Sequence, residues 1–118
     1  MSARGAAGAG RGDVWFVDLD PTRGREQAGR RPALVVSVDL FNQGPADLIV
    51  VLPMTTTARG VPFHVRVTPP EGGLRKPSYI KCEDVRSIAK ERLRKRLGKV
   101  SATTLNAVED RLRILLDL

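Results

Sequence analysis

Val14-Trp15-Phe16-Val17-Asp18-Leu19, closed by Asp20-Pro21-Thr22, and Pro32-Ala33-Leu34-Val35-Val36-Ser37-Val38 are the two stretches that decide the fold. Both are too short and too β-branched for helices, and turn-forming residues bound them. Proline at the first position of a strand costs no ladder hydrogen bond, so Pro32 opens the second one. Between them, residues 22–30 (TRGREQAGR) hold two glycines, three arginines and no apolar run. They form a polar loop above the usual connection length, and long loops in small domains tend to carry function.

Working outward, Asp39 to Pro45 reads as a single helical turn running into the turn Asn42-Gln43-Gly44-Pro45, and Leu48-Ile49-Val50-Val51-Leu52 is a third strand. Val61 to Val67 alternates apolar with other residues, the period of a half-buried antiparallel strand. Ser78 to Cys82 and Val85 to Ile88 supply further short strands. Residues 89–100 hold six basic residues and one acid and read as a short helix leading into an extended piece. Ser101 is a good N-cap, and Leu105, Val108, Leu112 and Leu115 recur at helical spacing beside Leu116. The expected fold class is mainly β with a C-terminal helix (α+β): an antiparallel, barrel-like sheet capped by helix, with no βαβ pattern for a parallel sheet. Residues 1–11, small and glycine-rich, are expected to be a flexible tail, leaving 12–118 as one domain.

Composition agrees with a folded domain and adds a sign. Of 118 residues 42% are hydrophobic and 28% charged, which excludes a wholly disordered or collagen-like chain. Twenty Lys plus Arg against thirteen Asp plus Glu leaves +7, a surface that attracts polyanions, nucleic acid first. One cysteine, Cys82, and one histidine, His64, provide neither a disulfide nor a zinc ligand set. The apolar run Leu48 to Leu52 is far too short to span a bilayer and the N-terminus lacks the apolar block of a signal peptide, so the expected location is the cytoplasm, away from membranes.

Chemistry at a phosphodiester without a metal needs a base, an acid, and donors for the charge gathering on phosphate. The loop offers one carboxylate, Glu26, among Arg23, Arg25, Gln27, Arg30 and Arg31, a pattern suited to phosphate binding beside a charge-paired base and equally to a solvated charged loop. Residues 53–57 (PMTTT) place three hydroxyls in succession where the third strand ends. His64 alternates with Phe63 and Val65 and reads as a solvent-facing strand residue, and Cys82 as a buried or half-buried thiol. The glycines follow neither the Walker nor the dinucleotide spacing, so no nucleotide cofactor is indicated.

Gly12-Asp13-Val14-Trp15-Phe16-Val17-Asp18-Leu19-Asp20-Pro21-Thr22-Arg23-Gly24, followed by Glu26-Gln27-Ala28-Gly29-Arg30-Arg31-Pro32-Ala33-Leu34-Val35-Val36-Ser37, closely resembles the opening of the MazF/PemK (Kid) family of toxin endoribonucleases. The resemblance continues through Phe41-Asn42, Pro53-Met54-Thr55-Thr56 and Val61-Pro62-Phe63, and more loosely to the terminal helix. It implies an SH3-like barrel of the MazF/PemK/CcdB type, a homodimer that cuts single-stranded RNA without a metal or cofactor, and a cognate MazE-like antitoxin with an acidic tail. It further implies that Arg31, Thr55 and Glu26 are catalytic, and that Arg25, Gln27, Asn42, Thr56, Lys81, Glu83 and Arg86 meet RNA. Lys81 and Glu83, flanking Cys82 with the charges that the Kid branch carries there, form an alternative acid and base pair. Two positions depart from the family: Arg25 stands where many members carry serine or histidine, and Asp84 where glutamine is frequent, which removes amide donors. The competing readings are a noncatalytic gyrase poison, as in the related CcdB family, and an SH3-like nucleic-acid-binding module. Trp15, Phe16, Phe41 and Tyr79 are the only plausible stacking platforms for bases.

Overall fold

A computed structural model describes residues 8–19 and 29–118. Its strands are β1 (Asp13–Asp18), β2 (Arg30–Val35), β3 (Leu48–Thr55), β4 (His64–Val67), β5 (Ser78–Lys81), β6 (Arg86–Ala89) and β7 (Leu93–Lys99). The helices are a single turn, α1 (Asp39–Asn42), and α2 (Ala102–Leu116). All pairings are antiparallel, in the order β4-β5-β3-β2-β1-β7, with β6 also on β3. Among the described residues β4 and β7 are edges that do not meet, so the expected barrel is an open, curled sheet.

The eight-residue β3 organises the sheet. One flank pairs with β2, whereas the other is divided: Leu48 to Val51 pair with β6, and Met54 and Thr55 with β5. The expected strand at Leu48–Leu52 therefore runs on to Thr55, because cross-strand partners are available there that residue pattern does not reveal.

Side chains of successive strand residues point to opposite faces, and the two cores follow that alternation. Val14, Leu34, Leu52, Met54, Val65, Val67 and Ile80 pack on one face with α2, whose Val108 is fully buried. Trp15, Val17, Ala33, Val35, Ile49, Val51, Ile88 and Leu93 pack on the other. Ser101 caps α2 as its sequence implies, its hydroxyl accepting from the Thr104 N–H at 3.2 Å. The Glu71 carboxylate accepts the Ser101 N–H at 2.9 Å.

Residues 89–100 follow the expected order of a short helix and an extended piece: the 3-10 turn Lys90–Arg92 runs into β7, which pairs with β1. The turn Glu71–Gly73 lies flat on that strand. A Cβ on Gly73 would stand 1.9 Å from the Leu97 carbonyl oxygen, so only glycine fits, and its φ of +69° is one that L side chains rarely adopt.

Residues 8–11, the described part of the stretch read as a tail, contact the rest of the chain. Ala9 is fully buried, the Gly10 N–H donates to Asp13 Oδ2 at 2.8 Å, and the Arg11 guanidinium bonds Glu109 and the Val36 carbonyl. Residues 1–7 lie outside the described set.

Candidate functional site

The site is built by register. Ala33, Leu34 and Val35 face Pro53, Leu52 and Val51, where the β2–β3 ladder ends, and Arg31 and Thr55 lie two residues beyond it on the face of Ala33 and Val51. Thr55 faces Tyr79 on β5, and Tyr79 faces Arg66 on β4. Thr55, Tyr79 and Arg66 thus form one polar row across three strands, with Arg31 on the same face of β2. In the adjoining row His64 faces Lys81.

The individual groups are held in distinct ways. Thr55 is 7% exposed, and its Oγ1 accepts the Thr57 N–H at 3.2 Å, which leaves its own O–H as a donor. Arg31 is half-buried and Thr56 exposed. Asp84 gathers the cations at the side of the site: Arg86 donates through Nε to Oδ1 at 3.2 Å and through Nη2 to Oδ2 at 2.9 Å, and Lys81 Nζ stands 4.0 Å from Oδ2.

His64 is not the solvent-facing residue its alternation suggested. Its side chain is 4% exposed, with Nε2 2.9 Å from Glu83 Oε2, and its Nδ1 is buried without a partner among the described residues. Lys81 and Glu83, the alternative acid and base pair, are thus turned toward Asp84 and His64 respectively. Cys82 is fully buried; burial pushes its thiol up to about 12, with the Glu83 charge adding to the effect and Arg111 opposing it. Such a thiol is no nucleophile.

Asn42 does not suit the RNA contact expected of it. It is fully buried, its amide N–H donates to the Ser37 carbonyl at 2.9 Å and its amide oxygen accepts the Ser37 hydroxyl. The loop residues Arg25, Glu26 and Gln27 lie outside the described residues. The reading of motifs named His64 and Glu83 separately and missed both Arg66 and the pairing of His64 with Glu83. The period-two pattern of residues 61–67 was the available signal, since it puts His64 and Arg66 on the face opposite Val65 and Val67.

Among the described residues no cluster of three or more His, Cys, Asp or Glu has the makings of a metal site, and no helix is long and apolar enough to cross a membrane. The arrangement is an array of cationic and hydroxyl donors around one half-buried tyrosine, chemically suited to a phosphodiester and an unstacked base.

The profile of the PemK-like, MazF-like toxins of type II toxin-antitoxin systems matches residues 10–116. The chain belongs to this family. Endoribonuclease MazF9 of Mycobacterium tuberculosis is 42% identical over 113 residues, covering 92% of this chain and 96% of the relative. Endoribonuclease PemK of Escherichia coli is 40% identical over 111 residues, covering 90% and 80%. Among solved structures, MazF of Deinococcus radiodurans superposes with a TM-score of 0.83 at 31% identity, covering 93% of this chain and 97% of that one. A mycobacterial endoribonuclease in complex with its cognate antitoxin gives a TM-score of 0.77 at 28% identity, covering 93% and 96%. The MazF/PemK membership accounts for the mainly antiparallel sheet with its C-terminal helix.

Proposed function

We propose that this MazF/PemK-family chain is a toxin that cuts single-stranded RNA at short sequence motifs, and that the ribose 2′-oxygen next to the scissile phosphate is the nucleophile. The observation that supports the reading is the register of β2 and β3, Ala33 to Val35 against Pro53 to Val51, beyond whose end Arg31 and Thr55 follow on the same face. Attack forms a bond from the 2′-oxygen to phosphorus and breaks the bond to the 5′-oxygen. The products are a 2′,3′-cyclic phosphate and a 5′-hydroxyl, and no metal or water is consumed. Glu26 takes the 2′-proton, and the departing 5′-oxygen takes up a proton from solvent, so the proton count closes. Arg31 stabilises the charge that gathers on phosphate, the role suited to a group that holds its own proton so firmly. Thr55 donates to a nonbridging oxygen, while Tyr79 offers a ring face to a base and Arg66, Arg86 and Lys81 attract the backbone.

Three further expectations belong to the same reading: a homodimer, neutralisation by an antitoxin with an acidic tail, and action in the cytoplasm. The large apolar residues left exposed, Leu40 at 87%, Val38 at 55% and Ile114 at 63% among them, are consistent with burial against a second copy. The +7 charge suits an acidic antitoxin segment, and the family's solved structures include an antitoxin complex.

One RNA tests the chemistry. Replacing the nucleotide at the cut by its 2′-deoxy form abolishes cleavage, and EDTA leaves the parent RNA's cleavage intact. Cutting that requires metal and ignores the 2′-hydroxyl sinks the mechanism. Inhibition of gyrase supercoiling with RNA left whole favours the CcdB-like alternative instead.

A further inference from the structure

The sheet face opposite Arg31 carries its own cationic array. Arg30 pairs in register with Asp18 on β1, and Arg30 Nε lies 3.9 Å from Asp18 Oδ2. From β7, Arg94 Nη2 stands 3.4 Å from the same oxygen, and Arg92 Nη1 donates to the Asp18 carbonyl at 3.2 Å. Further along the sheet, Phe16 lies between Pro32 on β2 and Lys95 on β7 and is half-buried. The Arg30 and Arg94 side chains are 62% and 46% exposed. Two guanidinium groups at one carboxylate and a third on the Asp18 backbone carbonyl leave an excess of positive charge, and Lys95 adds to it.

We propose that this array is a second RNA-binding track, which takes the backbone phosphates of nucleotides flanking the cleaved motif; it rests on the endoribonuclease reading above. Asp18 does not neutralise the site but holds it in shape. The Arg30 and Arg94 guanidinium groups carry five donors each, so a contact with one carboxylate oxygen leaves donors for phosphate. Phe16 gives the track a ring for a flanking base, which a site for acidic peptides has no use for. Arg30 and Arg31 are neighbours on β2 whose side chains point to opposite faces, so the array begins one residue from Arg31.

The test uses the full chain carrying Arg94→Gln and Lys95→Gln, both at exposed positions on β7 and outside the candidate cleavage site. Binding is measured by fluorescence anisotropy with uncleavable 2′-O-methyl RNAs, one holding only the cleaved motif and one extended on both sides. The double variant should bind the extended RNA roughly ten-fold more weakly, and its slope of log affinity against log salt should fall by about 1 to 1.5. Its affinity for the short RNA should stay unchanged. Equal loss on both RNAs, or no loss on the extended one, overturns the track. Unchanged RNA binding with lost affinity for a polyglutamate peptide overturns it in favour of an acidic protein partner. Failure of the parent protein to bind either RNA instead tells against the endoribonuclease reading itself.

Discussion

The Arg86 guanidinium donates through two of its nitrogens to the two oxygens of Asp84, which also draws Lys81 to within 4.0 Å. One carboxylate thereby attenuates two cations beside the candidate site. Removing its charge with Asp84→Asn should strengthen RNA binding several-fold and steepen the salt dependence by about one unit of slope, because every further phosphate neutralised releases a comparable number of counterions. Anisotropy titrations across a salt series measure both quantities.

Arg31→Ala and Thr55→Ala should each lower kcat on a defined RNA by about 10²- to 10³-fold, the usual loss when one preorganised donor to a developing oxyanion is removed. Affinity for the uncleavable analogue should change far less. A pure binding module shows the reverse, losing affinity with no turnover to lose, so single-turnover kinetics beside anisotropy separates the two.

Glu71 links pH to stability. Burial works to raise its carboxyl, but hydrogen bonds from Thr104 and from the Ser101 N–H and hydroxyl outweigh that and hold it below the ordinary value of 4.5. A carboxyl depressed on folding stabilises the fold above its unfolded pKa, and the contribution is lost as pH falls through the folded value. Glu71→Gln should therefore shift the urea midpoint downward at about pH 7, with the gap to the parent narrowing as the pH falls below 4.5 and through the lowered folded value.

Gly73→Ala should cost about 3 kcal/mol or more, since the new methyl strikes the Leu97 carbonyl and the backbone sits at positive φ. Gly60, also at positive φ but with nothing within 4 Å of a Cβ, is the control and should lose much less. Thermal denaturation of the two variants makes the comparison.

Cys82 should resist Ellman's reagent in the folded protein at about pH 8 and react fully in guanidinium chloride, as a thiol raised to about 12 in a closed core requires.

Strands with a clear apolar period and a capped terminal helix were readable from residues alone, as Val14 to Asp18 and Ser101 to Leu116 demonstrate. What escaped was whatever depends on partners distant in sequence. The open sheet follows from two edges that do not meet, and β7 is a strand because β1 lies beside it, although its own residues are chiefly Arg, Lys and Leu. Within the site, Arg31 and Thr55 were recognisable as candidates by resemblance, yet that they share a face of the sheet needed the β2/β3 register. Asn42 looked available and is consumed by Ser37; His64 looked peripheral and is enclosed with Glu83. Local pattern reports which face a side chain takes, not what covers that face.

The divided flank of β3 has a bearing on how the toxin fails. Its first half, laced to β6, anchors the interior, and its last residues, laced to β5, are the floor on which RNA would be cut. Interior and floor share one uninterrupted length of backbone, so the protein has little means of blunting its activity by loosening that floor alone. Heat inactivation should coincide with global melting, and a cell that must silence the toxin is left with obstruction by another molecule rather than partial collapse.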